Sequence, residues 1–454
     1  MSSAKKVILL EFNELCPPLL KKFITEGELP NFKKLYDNSI AYTTDACCDV
    51  EYLEPWIQWV TLHTGLPYEK HQVFRLGQAK HLSHKSVWDI LSENGLSSWL
   101  CGSMNISWDS NDEKITALPD PWSVDVKASP IELQEFYEFV RANVQEHTNE
   151  KFKLSKMKLI NFMLFMFRHG LSVKTVLRGA KLVGKQVFKA DDNWKKATIL
   201  DWLQLDVFKY IYKKKSPAFA TFFSNSTAHF QHKFWRYMDP ESFTLKPSEE
   251  EVKRFGSAIL YAYKNHDRMI GEIFDLADQD TTIILASALS QQPFTAKDAD
   301  GGRRFYRPND ITKIANTFAL QGVESIAPVM SHQFHIICDT PQLAQENFEI
   351  LSDATLNDER LFSLRLEGKN VFGGCCISRP IDMNQLISVN GHSFKFGEVF
   401  YLADNIKSGM HNPHGVFWVY HSDQKQKIVE SSIPLEQTMP IILEQFGIAP
   451  PGVA

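Results

Sequence analysis

No apolar run in this 454-residue chain reaches about 18 residues, the length a helix needs to cross a bilayer, so the sequence offers no membrane span. An overall basic excess is also missing. The formal net charge is -5, which argues against general nucleic-acid binding. The seven cysteines are odd in number, include the adjacent pairs Cys47-Cys48 and Cys375-Cys376, and show no CxxC spacing of a zinc or redox motif. A reducing, cytoplasmic compartment is the simpler expectation. At the N-terminus Lys5-Lys6 precedes an apolar run, but Val7-Ile8-Leu9-Leu10 ends at Glu11, short of a secretory signal core. Internal repeats and low-complexity tracts are absent. What remains is a chain 44% hydrophobic and 23% charged, long enough to bury a substantial core.

The run Val7 to Leu10 is short, continuous and apolar, and it predicts a buried parallel strand with polar residues at its carboxyl end. Open α/β sheets place their ligands at that edge. Helical spacing follows over Pro17 to Tyr36 with a break at Gly27, and from about Ser86 to Asn94 with Gly95 as its stop. Further helices are expected over 130–150, over 193–213 and, as one long amphipathic element, over Glu249 to Ala277. Trp99 to Gly102, Ala218 to Phe223 and Thr281 to Ala286 supply more strands. This alternation predicts an α/β fold with a mostly parallel central sheet flanked by helices on both faces. The expected organisation is one domain over 1–454, with an inserted helical, basic cap over 125–215.

Residues 151–190 hold ten Lys or Arg and no Asp or Glu, interleaved with the apolar run Leu159 to Phe167. Such a stretch either lies on an anionic membrane surface or faces an anionic substrate, or it packs its apolar side inward and leaves its lysines solvated.

Four stretches together resemble the type I phosphodiesterase and nucleotide pyrophosphatase branch of the alkaline-phosphatase superfamily. Gly27-Glu28-Leu29-Pro30-Asn31 to Leu35 is similar to an opening "G-x-L-P-N-x-x-x-L". Thr64-Gly65-Leu66-Pro67 to His71 resembles "T-G-x-x-P-x-x-H-G", and His229 to Trp235 resembles "D-x-x-Q-H-x-x-W". Met439-Pro440 to Pro451 is similar to the "P-T-L-L…G-x-P-x-P" ending. In order, they cover nearly the whole chain.

The departures concern the metals. The resemblance implies a strand-end Asp ligand, and Glu11 stands there. An "S-D-H-G" motif becomes Ser287-Ala288-Leu289-Ser290, and the Asp four residues before His232 becomes Ala228. The late metal-binding His is matched by His411. The nucleophilic hydroxyl position falls on Glu54 or Pro55. Two hard cations held close together need several anionic ligands, so no two-metal centre is expected. A single divalent ion on Glu11, His232 and His411 remains possible, with His229 a further candidate.

Predicted strand ends and loops carry Glu11, Asn13, Glu14, Glu54, Gln58, Asn105, Asn225, Ser226, Ser287, Gln291 and Gln292, with Trp56, Trp59 and Trp235 nearby. Carboxylates, amides and indoles suit a carbohydrate, with Glu54 and Glu11 as an acid/base or nucleophile pair alongside His232 and His411. The Gly301 to Pro308 loop offers Arg303, Arg304 and Arg307, with Arg304 as the chosen clamp for an anionic group. His332 and His335 fall on opposite faces of a strand, and Asp120 reads as a turn residue. The leading expectation is a hydrolase or transferase acting on a glycan or other anionic polar substrate through a remodelled site. The alternatives are a metal-dependent phosphodiesterase or sulfatase-like hydrolase with unusual ligands, and a non-catalytic glycan- or partner-binding relative. For 151–190 the solvated cap face is the first expectation, and contact with the inner membrane surface is the alternative.

Overall fold

The first strand, β1 (Lys6–Phe12), sets the architecture because its residues alternate between two buried faces. Ile8, Leu10 and Phe12 join one apolar core, while Val7 and Leu9 join another on the opposite side. A strand whose two faces are both buried belongs at the centre of a covered sheet. In this computed structural model, which describes residues 6–123, 126–146, 156–188, 190–328, 333–404 and 406–450, β1 lies there.

The other main strands are β2 (Ser39–Asp45), β3 (Ser98–Cys101), β4 (Ile115–Leu118), β5 (Phe219–Ser224) and β6 (Thr281–Ser287). β1 pairs in parallel with β5 and β6, and β3 pairs in parallel with β5 and β4. The strand His414–Tyr420 runs antiparallel between β6 and β2. This is the α/β fold with a mostly parallel sheet covered on both faces that the sequence predicts.

The helices α1 (Pro17–Thr25) and α2 (Pro30–Asp37) cover one face, with Pro at the start of each where its missing N–H costs nothing. On the opposite face lies α3 (Pro55–Thr64), stopped by Gly65 at φ 65°. An added Cβ at Gly65 would lie 3.2 Å from Glu436 O and from Met439 Cβ, so both backbone angle and space favour glycine there. The helix expected over Glu249 to Ala277 is two helices, Glu249–Phe255 and Ala258–Phe274, separated at Gly256-Ser257. A Cβ added at Gly256 would lie 2.6 Å from Val252 O and 3.1 Å from Tyr237 O, so glycine is needed at the break.

Within 125–215, the helices Gln134–Glu146, Lys156–Arg168 and Ile199–Lys215 bury Phe136, Phe162, Met166, Trp202 and Phe208 in the same core as Ile8 and Leu10. Residues 125, 147–155 and 189 of the predicted cap and basic stretch, together with Lys5 and His332, lie outside the described residues. A body not separated in the sequence spans roughly residues 305–400. A four-stranded antiparallel sheet there carries its own core of Phe334, Ile336, Phe362 and Val371. His335 packs on Phe372 in that sheet. The paired strands Phe305–Pro308 and Phe400–Asp404 return the chain from this body towards the main sheet.

Candidate functional site

Past the end of β1, the chain turns at Glu14 with φ 61°, a conformation L residues adopt rarely and at a cost. The surrounding contacts hold it there. Gln231 on the helix Ser226–Met238 donates to Glu14 O at 2.6 Å, and Tyr263 donates to Gln231 Oε1 at 2.8 Å. Asn13 is held beside it: Trp59 Nε1 donates to its Oδ1 at 2.8 Å, and its own amide donates to Asn225 Oδ1 at 2.8 Å and to Glu14 Oε1 at 3.1 Å.

The turn delivers the buried Glu14 carboxylate between two imidazoles. Glu14 Oε2 lies 3.2 Å from His232 Nε2, and Oε1 lies 3.6 Å from His411 Nε2. Gln291 Nε2 also donates to Oε2. His411 arrives because the strand Gly409–Asn412 pairs antiparallel with β7 (Ser290–Pro293), setting His411 opposite Gln291. Ser408 N–H donates to His232 O at 2.9 Å, which ties that strand to the helix bearing the first imidazole.

Burial opposes the charge on Glu14, but His411 and His232 outweigh it and hold its carboxyl well below the usual carboxylate range. For His411, burial disfavours protonation, and Glu14 followed by Glu54 reverses this, so its pKa rises. Glu54 sits at the N-terminus of α3 with its Oε2 3.6 Å from His411 Nδ1. Burial pushes the Glu54 pKa up against the pull of His411 and Lys407.

Each ring nitrogen of His232 has an assigned direction. His232 Nδ1 lies 3.0 Å from Gly409 O, which only accepts, so Nδ1 carries the proton and Nε2 faces Glu14. His411 is flanked by Glu54 on its Nδ1 side and Glu14 on its Nε2 side, each at 3.6 Å, charge contacts rather than hydrogen bonds. Imidazoles backed by an acceptor at one nitrogen and presenting the other are how proteins orient metal ligands. Glu14, His232 and His411 offer ligand atoms all within 4.8 Å of one another, a set that fits one divalent ion.

Positive charge lies close by. Lys407 N–H donates to Arg303 O at 2.8 Å, and the Lys407 ammonium stands 5.2 Å from the Phe294 ring centroid. Burial, then Arg303, lowers the Lys407 pKa against the pull of Glu54 and Glu14, and burial lowers that of Arg303. Desolvated cations beside an open ligand set favour an anionic partner.

The sequence matches the family described as type I phosphodiesterase / nucleotide pyrophosphatase over residues 7–336. The chain belongs to this family. No curated protein matches its sequence. Solved structures similar to this phosphodiesterase-family chain include the inactive murine ectonucleotide pyrophosphatase / phosphodiesterase 5 in complex with AMP, at 8% identity and TM-score 0.45, covering 99% of this chain and 96% of that one. The human ectonucleotide pyrophosphatase / phosphodiesterase 5 has the same identity, TM-score and coverage. Phosphonoacetate hydrolase from Sinorhizobium meliloti 1021 in complex with phosphonoformate has 9% identity and TM-score 0.45, covering 98% of this chain and 95% of that one.

Against the expected site, the structure gathers Asn13, Glu14, Glu54, Asn225, His232, Gln291 and His411, and it corrects the carboxylate. Glu11 does not meet the two imidazoles; Glu14 does. Strand alternation sends the Glu11 side chain to the face covered by α3, where its Oε1 lies 2.6 Å from His63 Nε2 and both groups are buried. His229 is exposed and stands outside the ligand set.

Several expected substrate contacts spend their polar atoms internally. Trp56 Nε1 donates to Phe74 O, and Gln58 donates to Tyr52 O. The Asn105 amide donates to Trp56 O and Arg75 O, and Ser287 donates to Leu289 O while accepting from Leu15 N–H. Asp120 accepts from Asn105, Trp122 and Ser123 N–H groups, as a turn residue should. Arg304 donates its backbone N–H to Ser378 O, and its buried Nε has no partner. The sequence did not single out His63 or Lys407 for the roles they take here, and on the Gly301 to Pro308 loop it chose Arg304 over Arg303. His63 had a usable signal, lying four residues after Trp59 on one helix face.

Proposed function

We propose that this chain is a hydrolase of anionic esters, acting at a single divalent cation held by Glu14, His232 and His411. The observation that carries this reading is the common orientation of the two imidazoles. Both present Nε2 to one carboxylate and turn Nδ1 towards an acceptor, Gly409 O for one and Glu54 for the other. A cation bound there supplies electrostatic stabilisation of charge developing on the substrate and activation of water.

The chain's own residues do the remaining work. Glu14 gives the site its negative charge, and Glu54 adds its charge beside His411. Lys407 and Arg303 attract the anionic part of the substrate. With Glu and Pro at 54 and 55, the start of α3 lacks a hydroxyl nucleophile, so the group passes directly to water. The family's phosphoester chemistry supports a phosphoester substrate. The internal engagement of Gln58, Asn105 and Ser287 weighs against a carbohydrate at this position.

The decisive experiment measures zinc, manganese and calcium in full-length protein purified without chelators or nickel resin, with bis-p-nitrophenyl phosphate hydrolysis assayed in parallel. Stoichiometric metal, lost together with hydrolysis in Glu14→Gln, supports the reading. Protein that binds none of these ions when they are added, yet still hydrolyses the ester, overturns it.

A further inference from the structure

We propose that the helices Lys156–Arg168 and Val173–Phe188 form a docking face for an anionic lipid surface. Exposed large hydrophobic side chains concentrate on them. Met157 is 65% exposed, Phe167 81%, Val173 74% and Leu177 64%, with Leu159, Ile160, Met163, Leu164 and Val176 exposed alongside. A soluble surface rarely gathers so many in one stretch without a partner.

The spacing explains why packing within the chain does not satisfy these residues. On the first helix, Phe162, Phe165 and Met166 are buried, with the Phe162 ring stacked 3.5 Å from that of Phe139. Ile160, Met163, Leu164 and Phe167 follow the i, i+3, i+4, i+7 spacing of a second stripe and stay exposed. A helix apolar on both faces has an unmet demand for burial. Val173, Val176 and Leu177 repeat the i, i+3, i+4 pattern on the next helix.

Length and charge choose the occupant. The first helix has 13 residues and rises about 20 Å, short of a hydrocarbon layer about 30 Å thick, so it lies along the surface rather than through it. Among the described residues no helix is long and apolar enough to cross a membrane. Residues 151–190 contain ten Lys or Arg and no Asp or Glu. Lys174 and Arg178 turn towards Glu272, at 3.3 and 3.7 Å, while Arg168 and Lys181 are exposed beside the apolar side chains. Phospholipid headgroups answer both properties, with acyl chains for the apolar stripe and phosphates for the cations. A second copy of the chain would set this basic segment against itself.

The test is co-sedimentation of the full chain with vesicles of pure phosphatidylcholine and with equimolar phosphatidylcholine and phosphatidylglycerol. Binding to the anionic vesicles is expected, weakened by salt, and the triple variant Ile160→Ser, Leu164→Ser, Phe167→Ser should lose at least about tenfold in affinity. These side chains are exposed, so the variant should keep the parent's thermal midpoint. Arg168→Glu with Lys181→Glu, a second variant that leaves the apolar stripe intact, should lose the preference for anionic over neutral vesicles. Absent binding to anionic vesicles, or equal binding by a folded triple variant, overturns the proposal. So does a concentration-dependent dimer that the triple variant abolishes, because the occupant is then another copy.

Discussion

The Nδ1 atom of His411 lies 3.6 Å from Glu54 Oε2, on the side of the ring away from Glu14. Glu54 therefore acts on the site through its charge beside His411. In Glu54→Gln the ring keeps a polar neighbour but loses the negative charge. Zinc affinity should fall about tenfold or more, as it does when an imidazole ligand loses its outer carboxylate, while saturating zinc restores full stoichiometry. Competition against a fluorescent zinc indicator measures this. Unchanged affinity would detach Glu54 from the metal site.

Lys407 should govern substrate affinity. Its backbone bond to Arg303 and the neighbouring bond from Ser408 to His232 anchor it beside the ligand set. Lys407→Met keeps the length and removes the charge. A lost charge-assisted contact is worth about 2 kcal/mol, so KM for an anionic ester should rise about 30-fold, with a smaller effect on kcat. Equal KM values for parent and variant would place the substrate's charge elsewhere.

The fold was legible in the sequence where burial alone decides. Continuous apolar runs at Val7 to Leu10 and Thr281 to Ala286 specify strands covered on both faces, and they form the centre of the sheet. His232 and His411 were legible through their place in the family pattern. The carboxylate was harder, because Glu11 and Glu14 are both acidic residues near one strand end. Choosing between them depends on the parity of the strand and on the turn at Glu14, whose positive φ no composition signal announces. Gln58 and Asn105 were misleading for a related reason. An amide in a loop is as readily used to satisfy backbone carbonyls as to meet a ligand, and only tertiary placement separates the two.

The Glu11 and His63 pair should act on stability rather than chemistry. Both side chains are buried, and His63 is packed between Trp59 and Trp88. Glu11→Leu leaves His63 Nε2 without its partner in an apolar setting, at a cost of about 3 kcal/mol in denaturant unfolding. Converting His63 to Leu as well should recover part of that loss, measured as coupling in a double-mutant cycle. If Glu11→Leu instead folds with parental stability and loses all hydrolysis, Glu11 belongs to the chemistry.

A second buried cluster makes two opposing contributions to how stability varies between about pH 4 and pH 6. His266 stacks on Phe12 at 4.1 Å, with Ser224 Oγ 2.8 Å from Nε2 and Thr227 Oγ1 2.8 Å from Nδ1. Burial pushes its pKa down from 6.5 to about 3. The unfolded chain therefore binds the extra proton first, so His266 contributes stability that is full above about pH 6.5 and is lost as pH falls. Asp201, linked to the cluster through Ser226 and Ser224, is pushed by burial the other way, from 3.8 to about 6. Its contribution is full below its unfolded pKa and is lost as pH rises through about 6, so the two slopes oppose each other. Chemical unfolding of His266→Gln and Asp201→Asn at several pH values separates them. Relative to the parent, the deficit of His266→Gln should shrink as pH falls from 6 to 4, and that of Asp201→Asn should grow, each by about 1 kcal/mol per pH unit. Variants whose stabilities run parallel to the parent's across that range would mean that neither group changes its proton affinity on folding.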